Sequence, residues 1–147
     1  MQKVYLVLAL IILSRITLSS AQSATIDCAS NRYDQEVFSS INITTDVVYG
    51  SNSNQSGGTT ILKMDIYQPD SDTVAIRPLI IWAHGGSFVA GTKNDGDVVA
   101  LCEHFAKRGY VCASIEYRLG VAFPPTRAGT ISAVWRAVHD MKAAVRF

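Results

Sequence analysis

P-L-I-I-W-A-H-G-G-S-F-V-A-G, from Pro78 to Gly91, is the stretch on which the reading of this chain turns. Leu79, Ile80, Ile81, Trp82 and Ala83 suit a strand buried on both faces, and they run directly into His84, two glycines, a serine and an aromatic. A helix has no room to start there. Paired glycines at the carboxyl end of a buried strand mean that the main chain turns sharply or comes close to something. At such a place backbone N–H groups can point at a developing negative charge, which is how an oxyanion hole is made.

Moving outward toward the carboxyl end, Thr92 to Gly96 is rich in turn formers. Val98, Leu101, Cys102 and Phe105 then carry the spacing of an amphipathic helix ending at Arg108-Gly109, with Gly109 suited to the left-handed position after the last turn. Tyr110 to Ile115 reads as a second buried strand, so strand, helix and strand make a parallel crossover. Pro124-Pro125 interrupts regular structure, and a last helix is expected over Gly129 to Arg146 with Ile131, Val134, Val138, Met141 and Val145 on its apolar face.

Toward the amino end, Asp70 to Arg77 is a surface connection. Ile41 to Tyr49 reads as a strand with Ile43, Val47 and Tyr49 on one face, and Ile61, Met64, Ile66 and Tyr67 mark a second run closed by Gln68-Pro69. Between them, Ser51 to Thr59 reads as a long solvated loop, so the two runs make an antiparallel hairpin. Gln22 to Ser40 is an arm leading into the domain. Asn42-Ile43-Thr44 and Asn54-Gln55-Ser56 are glycosylation sequons, which make Asn42 and Asn54 candidate sites in a host that glycosylates.

Residues 1–21 have the three parts of a secretory leader: Lys3, the apolar run Val4 to Leu13, and a polar stretch ending Ser19-Ser20-Ala21. Cleavage after Ala21 is expected, which makes the protein secreted or periplasmic. The apolar run falls short of the roughly 20 residues that span a bilayer, so no stable membrane anchor is expected; an uncleaved anchor extended through Ile16 and Leu18 is the alternative. The 147 residues are 48% hydrophobic and 17% charged, a globular composition. Removing Lys3 and Arg15 with the leader takes the 13 basic residues to 11, against 12 acidic ones, so no basic surface points to nucleic acid.

Cys28, Cys102 and Cys112 have no C-x-x-C spacing, which excludes an ordinary zinc site or redox pair. In an exported protein Cys102 and Cys112 can close a short loop worth roughly 2–3 kcal/mol in the chain-entropy model. Two small core thiols fit the same positions equally well.

The segments L-K-M-D-I-Y-Q-P (62–69), W-A-H-G-G-S-F (82–88), G-Y-V-C-A-S-I-E-Y-R-L (109–119) and A-V-H-D-M-K-A-A-V-R-F (137–147) together resemble the front of an α/β-hydrolase of the carboxylesterase and lipase kind. The resemblance runs from about Ile41 to Phe147. It implies an α/β fold, an antiparallel hairpin followed by a parallel βαβα unit, as an incomplete hydrolase domain over 41–147 behind the leader (1–21) and arm (22–40). It further implies that Gly86 and Ser87 supply oxyanion N–H groups, that Gly85 permits the turn and that His84 shapes the loop. By the same resemblance Tyr117 and Arg118 brace the loop, and the family's strand order sets a further strand, absent here, against Pro78 to His84. Asp140 is expected to act as a structural anchor beside Arg136 and Arg146, and Glu116 to pair with Arg118.

One departure is large. No G-x-S-x-G nucleophile elbow occurs in the 147 residues; Gly85-Gly86-Ser87-Phe88-Val89 fails at its last position and leads into no helix. Ser87 is therefore read as an oxyanion-loop residue, and His104 and His139, both within expected helices, as solvated or capping side chains. The reading that follows is the amino-terminal part of a secreted carboxylic ester hydrolase, carrying the oxyanion loop without the triad and inactive alone. Its parent would take a small-molecule ester and need no metal or organic cofactor. The alternative is a non-catalytic binding or interaction module derived from a hydrolase half-domain. A doubly wound ligand-binding domain ranks last, for want of a G-x-G-x-x-G after the strand.

Overall fold

A four-stranded mixed sheet carries the loop, with one helix on each face. The computed structural model describes residues 30–147, so the leader and Cys28 lie outside the described residues. The elements in order are β1 (Ile41–Ser53), β2 (Thr59–Pro69), β3 (Leu79–Ala83), α1 (Gly96–Lys107), β4 (Val111–Ile115) and α2 (Arg127–Arg146). Their order across the sheet is β1-β2-β4-β3. β1 and β2 are antiparallel, as are β2 and β4, whereas β3 lies parallel to β4 in register from Leu79 opposite Val111 to Ala83 opposite Ile115.

The hairpin corrects two expectations. Its strands continue to Ser53 and restart at Thr59, so the polar tract forms strand ends and a tight turn, not a long loop. Asn54 organises that turn: its Oδ1 accepts from the amides of Ser56 and Gly58 and from the Ser56 hydroxyl, the local bonding that suits asparagine to turns. The expected common face of Ile43, Val47 and Tyr49 does not form either. Register shifts fall between Thr44 and Val47 and between Val48 and Gly50, and Asp46 at φ 58° sits in the first of them. A bulge inserts a residue and reverses the alternation beyond it. Ile43 therefore pairs with Tyr67 and is exposed, while Val47 pairs with Met64 on the opposite face.

Both faces of the sheet bury side chains. One face joins Tyr49, Leu62, Met64, Ala113 and Ile115 to Ala144 of α2, and the other joins Tyr67 and Cys112 to Val98, Cys102 and Ala106 of α1. Leu62, and not the 57% exposed Ile61, is the core residue of β2's first half. β3 is the outermost strand, and one flank of it pairs with no strand among the described residues. That is why Leu79 is 55% exposed and the other four residues of the strand are only half-buried, where burial on both faces was expected.

α1 ends as its sequence requires: Gly109 takes φ +101° and donates its amide to the Ala106 carbonyl. Cys102 and Cys112 meet between α1 and β4 as buried free thiols. The hydrogen bond between them, then burial, pushes the Cys102 thiol up. The arm is more than a lead-in. Tyr33 donates to the Arg108 carbonyl, Val37 and Phe38 donate to that of Lys107, and Arg32 forks onto Asp72 at 3.0 and 2.6 Å. Carbonyls at the end of α1 that the helix cannot satisfy are thus satisfied by the arm.

α2 starts at Thr126, whose hydroxyl accepts from the Gly129 amide at 3.1 Å. Its buried face is Ala133, Ala137, Asp140 and Ala144, while Ile131, Val138 and Val145 are exposed and Val134 and Met141 half-buried. The expected aliphatic stripe is displaced by one residue, about 100° around the helix. The cause is Asp140, whose carboxylate is drawn inward by a buried partner described below, with alanines allowing the close approach.

Candidate functional site

β3 delivers His84 to the carboxyl end of the sheet, and the chain then turns through three successive residues of positive φ: Gly86 at 101°, Ser87 at 55° and Phe88 at 61°. For the two non-glycines this is left-handed backbone costing of order 1–3 kcal/mol each, held only where surroundings enforce it. The enforcement is visible. The Gly86 carbonyl accepts the amides of Val89 and Ala90 at 3.0 and 3.2 Å, and the Phe88 carbonyl accepts those of Gly120 and Val121 at 2.9 and 3.1 Å. The amides of Gly86 and Ser87 donate to nothing among the described residues, and both residues are exposed.

The glycine requirement falls one place later than expected. Gly85 has open space where a Cβ would stand and no positive φ, so it is not the residue that permits the turn. Gly86 and Gly91 are: a Cβ on Gly86 would lie 2.1 Å from the Ala90 carbonyl oxygen, and one on Gly91 would lie 2.2 Å from Nδ1 of His84. Tyr117 braces the loop from below, as anticipated. Its hydroxyl donates to the His84 carbonyl at 2.7 Å, its ring stacks on the His84 imidazole at 4.3 Å between centroids, and Phe88 meets it edge-on. Burial, then the nearby Asp95 and Glu116 carboxylates, push the Tyr117 hydroxyl up, so it stays a donor. His84 itself is buried, with Nδ1 2.8 Å from the Gly85 carbonyl oxygen.

A family model described as BD-FAE matches residues 64–147, more than half of the chain. The chain belongs to the BD-FAE family. Carboxylesterase 3 of Pongo abelii is 38% identical over 61 residues, 41% of this chain and 10% of that protein, and carboxylesterase 3B of Mus musculus is 36% identical over the same length. Among solved structures, an inhibited esterase B from Lactobacillus rhamnosis shares 20% identity at a TM-score of 0.47, covering 77% of this chain and 34% of that one. The chain thus spans about one tenth of the length of the curated relatives it matches. As a BD-FAE member it has the front part of an α/β-hydrolase fold of the carboxylesterase type, a mixed sheet of four strands with two helices.

Within the BD-FAE segment, Arg118 and Asp140 find each other and not the partners expected of them. Asp140 accepts from the Arg118 backbone amide at 2.9 Å, from Nε at 2.8 Å and from a terminal guanidinium nitrogen at 2.7 Å, all buried. The same guanidinium reaches the Ser53 carbonyl at 2.6 Å and that of Arg136 at 3.3 Å. Arg118 therefore fastens α2 and the end of β1 to the segment after β4 and makes no hydrogen bond to the loop among the described residues. The Arg136 guanidinium goes to Ser132 and Gln55. Glu116 pairs with neither: its Oε1 accepts the Lys93 amide at 3.1 Å, and its Oε2 lies 3.9 Å from Nε2 of His84.

Lys93 is the site residue that sequence reasoning missed. It reads as part of a solvated turn, yet it is buried, 2.7 Å from Asp65 and 3.4 Å from Asp46, with its carbonyl taken by the Ser114 hydroxyl at 2.6 Å. Burial opposes its charge, but the bond to Asp65 and the two carboxylates hold the ammonium above its ordinary range. The signal was Asp65: an acid in the middle of an apolar strand demands a cation from elsewhere in the fold. His104 pairs with Glu36 on the surface and His139 packs at a tilt against Trp135, so both are engaged away from the loop. Asn42 donates its side-chain amide to Asp70 at 2.9 Å. Among the described residues no three His, Cys, Asp or Glu side chains are grouped to hold a metal, and no helix is long and apolar enough to cross a membrane.

Proposed function

We propose that this chain is the amino-terminal part of a secreted carboxylic ester hydrolase and that it supplies half of the oxyanion hole. In this reading a serine outside these residues attacks the carbonyl carbon of an ester. The carbonyl π electrons move onto oxygen, and the Gly86 and Ser87 N–H groups donate to the resulting oxyanion. The residue after that serine would add a third donor. Each such donor is worth about 10²–10³ in rate. The route is acyl transfer through side chains, needing no metal or organic cofactor, and the substrate is a small-molecule ester. The leader pattern of residues 1–21 supports export to a secreted or periplasmic location.

The observation that carries the reading is the pair of amides of Gly86 and Ser87, exposed residues after β3 whose N–H groups donate to nothing among the described residues, in a backbone held at positive φ. Two measurements test it. DNA beyond codon 147 is expected to continue, in frame or after one lesion, into a stretch encoding G-x-S-x-G; ordinary intergenic sequence there would sink the proposal. The 147-residue product is expected to show no turnover of a p-nitrophenyl ester, and a burst abolished by Ser87→Ala would make Ser87 a nucleophile instead. A second reading, a non-catalytic interaction module, draws support from an apolar groove of about 210 Å³ between the sheet and the end of α2. A monomeric chain with one cooperative thermal transition would favour it.

A further inference from the structure

In sequence, Cys102 and Cys112 fit a bridge and a pair of core thiols equally well; the fold sets the two sulfurs side by side. Cys102 lies on the buried face of α1, and Cys112 on the inner strand β4, opposite Tyr67 of β2 on one side and Ile80 of β3 on the other. Both are fully buried in one cluster with Val98, Ala106 and Tyr67, and a hydrogen bond joins the two free thiols. The backbone between them is held without help from sulfur. Gly109 donates to the Ala106 carbonyl at 2.9 Å, Tyr110 to that of Phe105 at 3.1 Å, and Val111 to that of Pro78 at 3.0 Å. An S–H is a weak donor and sulfur a weak acceptor, so the contact itself contributes little to keeping the two elements together.

We infer that Cys102 and Cys112 are partners in a disulfide that a disulfide oxidant closes during folding, before α1 seals against the sheet, and that Cys28 takes no part in it. In the first step the thiolate of one cysteine attacks the oxidant's S–S bond, forms a mixed disulfide and releases one thiol. In the second the other cysteine attacks that mixed disulfide, the Cys102–Cys112 bond forms and a second thiol leaves. Two electrons and two protons pass from the cysteines to the oxidant, whose one disulfide ends as two thiols. The timing follows from burial. Neither sulfur is exposed once the chain has folded, and the contact with Cys112, then burial, holds the Cys102 thiol far from the thiolate that exchange requires. Bridge and fold favour each other: the stability gained by closing residues 102–112 returns, by linkage, as resistance of the bridge to reduction. The bridge does not depend on the oxyanion reading, and the leader pattern of residues 1–21 bears only on where the oxidant is met.

The full 147-residue chain, reduced and unfolded in urea, tests this when it is equilibrated with mixtures of reduced and oxidised glutathione, once after dilution into buffer and once kept in urea. Remaining thiols are trapped with N-ethylmaleimide in urea, and trypsin, cutting after Lys93, Lys107, Arg108 and Arg118, puts Cys102 and Cys112 on separate peptides. In buffer, peptide 94–107 is expected to be linked to 109–118, with Cys28 trapped, and Cys28→Ser should leave the link unchanged. By linkage that link should survive a ratio of reduced to oxidised glutathione about tenfold or more above the one that breaks it in urea. A chain refolded in reductant and only then given oxidised glutathione should keep both thiols. Maleimide on both cysteines after refolding in the oxidising mixture overturns the inference, and so does a link from either to Cys28 or an equal breaking ratio in buffer and urea. Oxidation of the refolded reduced chain as fast as of the unfolded one overturns the timing. The map is taken on all of the protein, so a chain that precipitates without the link counts against the bridge. Absence of esterase chemistry in a longer gene product would overturn the oxyanion reading and leave the bridge standing.

Discussion

The carboxyl ends of β3 and β4 and the outer flank of β3 are a few residues apart, yet they are built on opposite terms. At the strand ends three buried polar groups are met inside the chain: Lys93 by Asp65, Arg118 by Asp140, the Tyr117 hydroxyl by the His84 carbonyl. Toward the flank, Leu79 is exposed, and with Ile81, Val111, Val145 and Phe147 it helps line the apolar groove between the sheet face and the end of α2, which no described residue fills. The difference separates geometry from adhesion. A loop held by backbone hydrogen bonds and the Tyr117 hydroxyl, above strand ends tied by paired charges, keeps its shape without the flank being covered, because an unpaired alternative would strand polar groups out of water. The flank holds no shape for the loop, but it offers apolar area that any cover would remove from water at about 25 cal/mol per Å².

If that division is right, the largest loss comes from the buried pair. Asp140→Ala leaves the Arg118 guanidinium buried without its carboxylate and should cost about 3–5 kcal/mol in urea unfolding. A cost under about 1 kcal/mol would mean that the strand ends are not self-supporting. A smaller loss, of order 1–3 kcal/mol, is expected for Gly91→Ala, which sets a Cβ at positive φ against the His84 ring and the Gly85 carbonyl. Its signature is local: amide exchange should accelerate at residues 86–88 and stay slow in β2 and β4. Smallest is the flank. Leu79→Lys should change stability by no more than about 0.5 kcal/mol while lowering self-association in sedimentation velocity. A larger stability loss would show Leu79 packed within the folded monomer, and the contrast would fail.

Much of this was legible in the sequence because it is local. The strand that stops at a glycine pair, the helix ended by Gly109 and the Tyr117 brace all follow from residues within one stretch or from the family segments. The parity of β1 was not legible, since Asp46 at positive φ carries no strong mark in sequence and one bulge reverses every side chain beyond it. The phase of α2 was missed for a different reason. Helical periodicity favours the aliphatic stripe, but the Arg118–Asp140 pair joins residues 22 apart and overrides it. Lys93 escaped because a lysine among turn formers looks solvated, and only its distant partner Asp65 betrays it.

The arm has a practical meaning for where this domain is cut. Trimming to Ile41, the first strand residue, would remove the amides of Tyr33, Val37 and Phe38 from the last carbonyls of α1 and would leave Asp72 with Arg77 as its only cation. The folded unit therefore includes Arg32, and a protease site or fusion junction placed at residues 33–40 would fray the helix that lies under the loop-bearing strand.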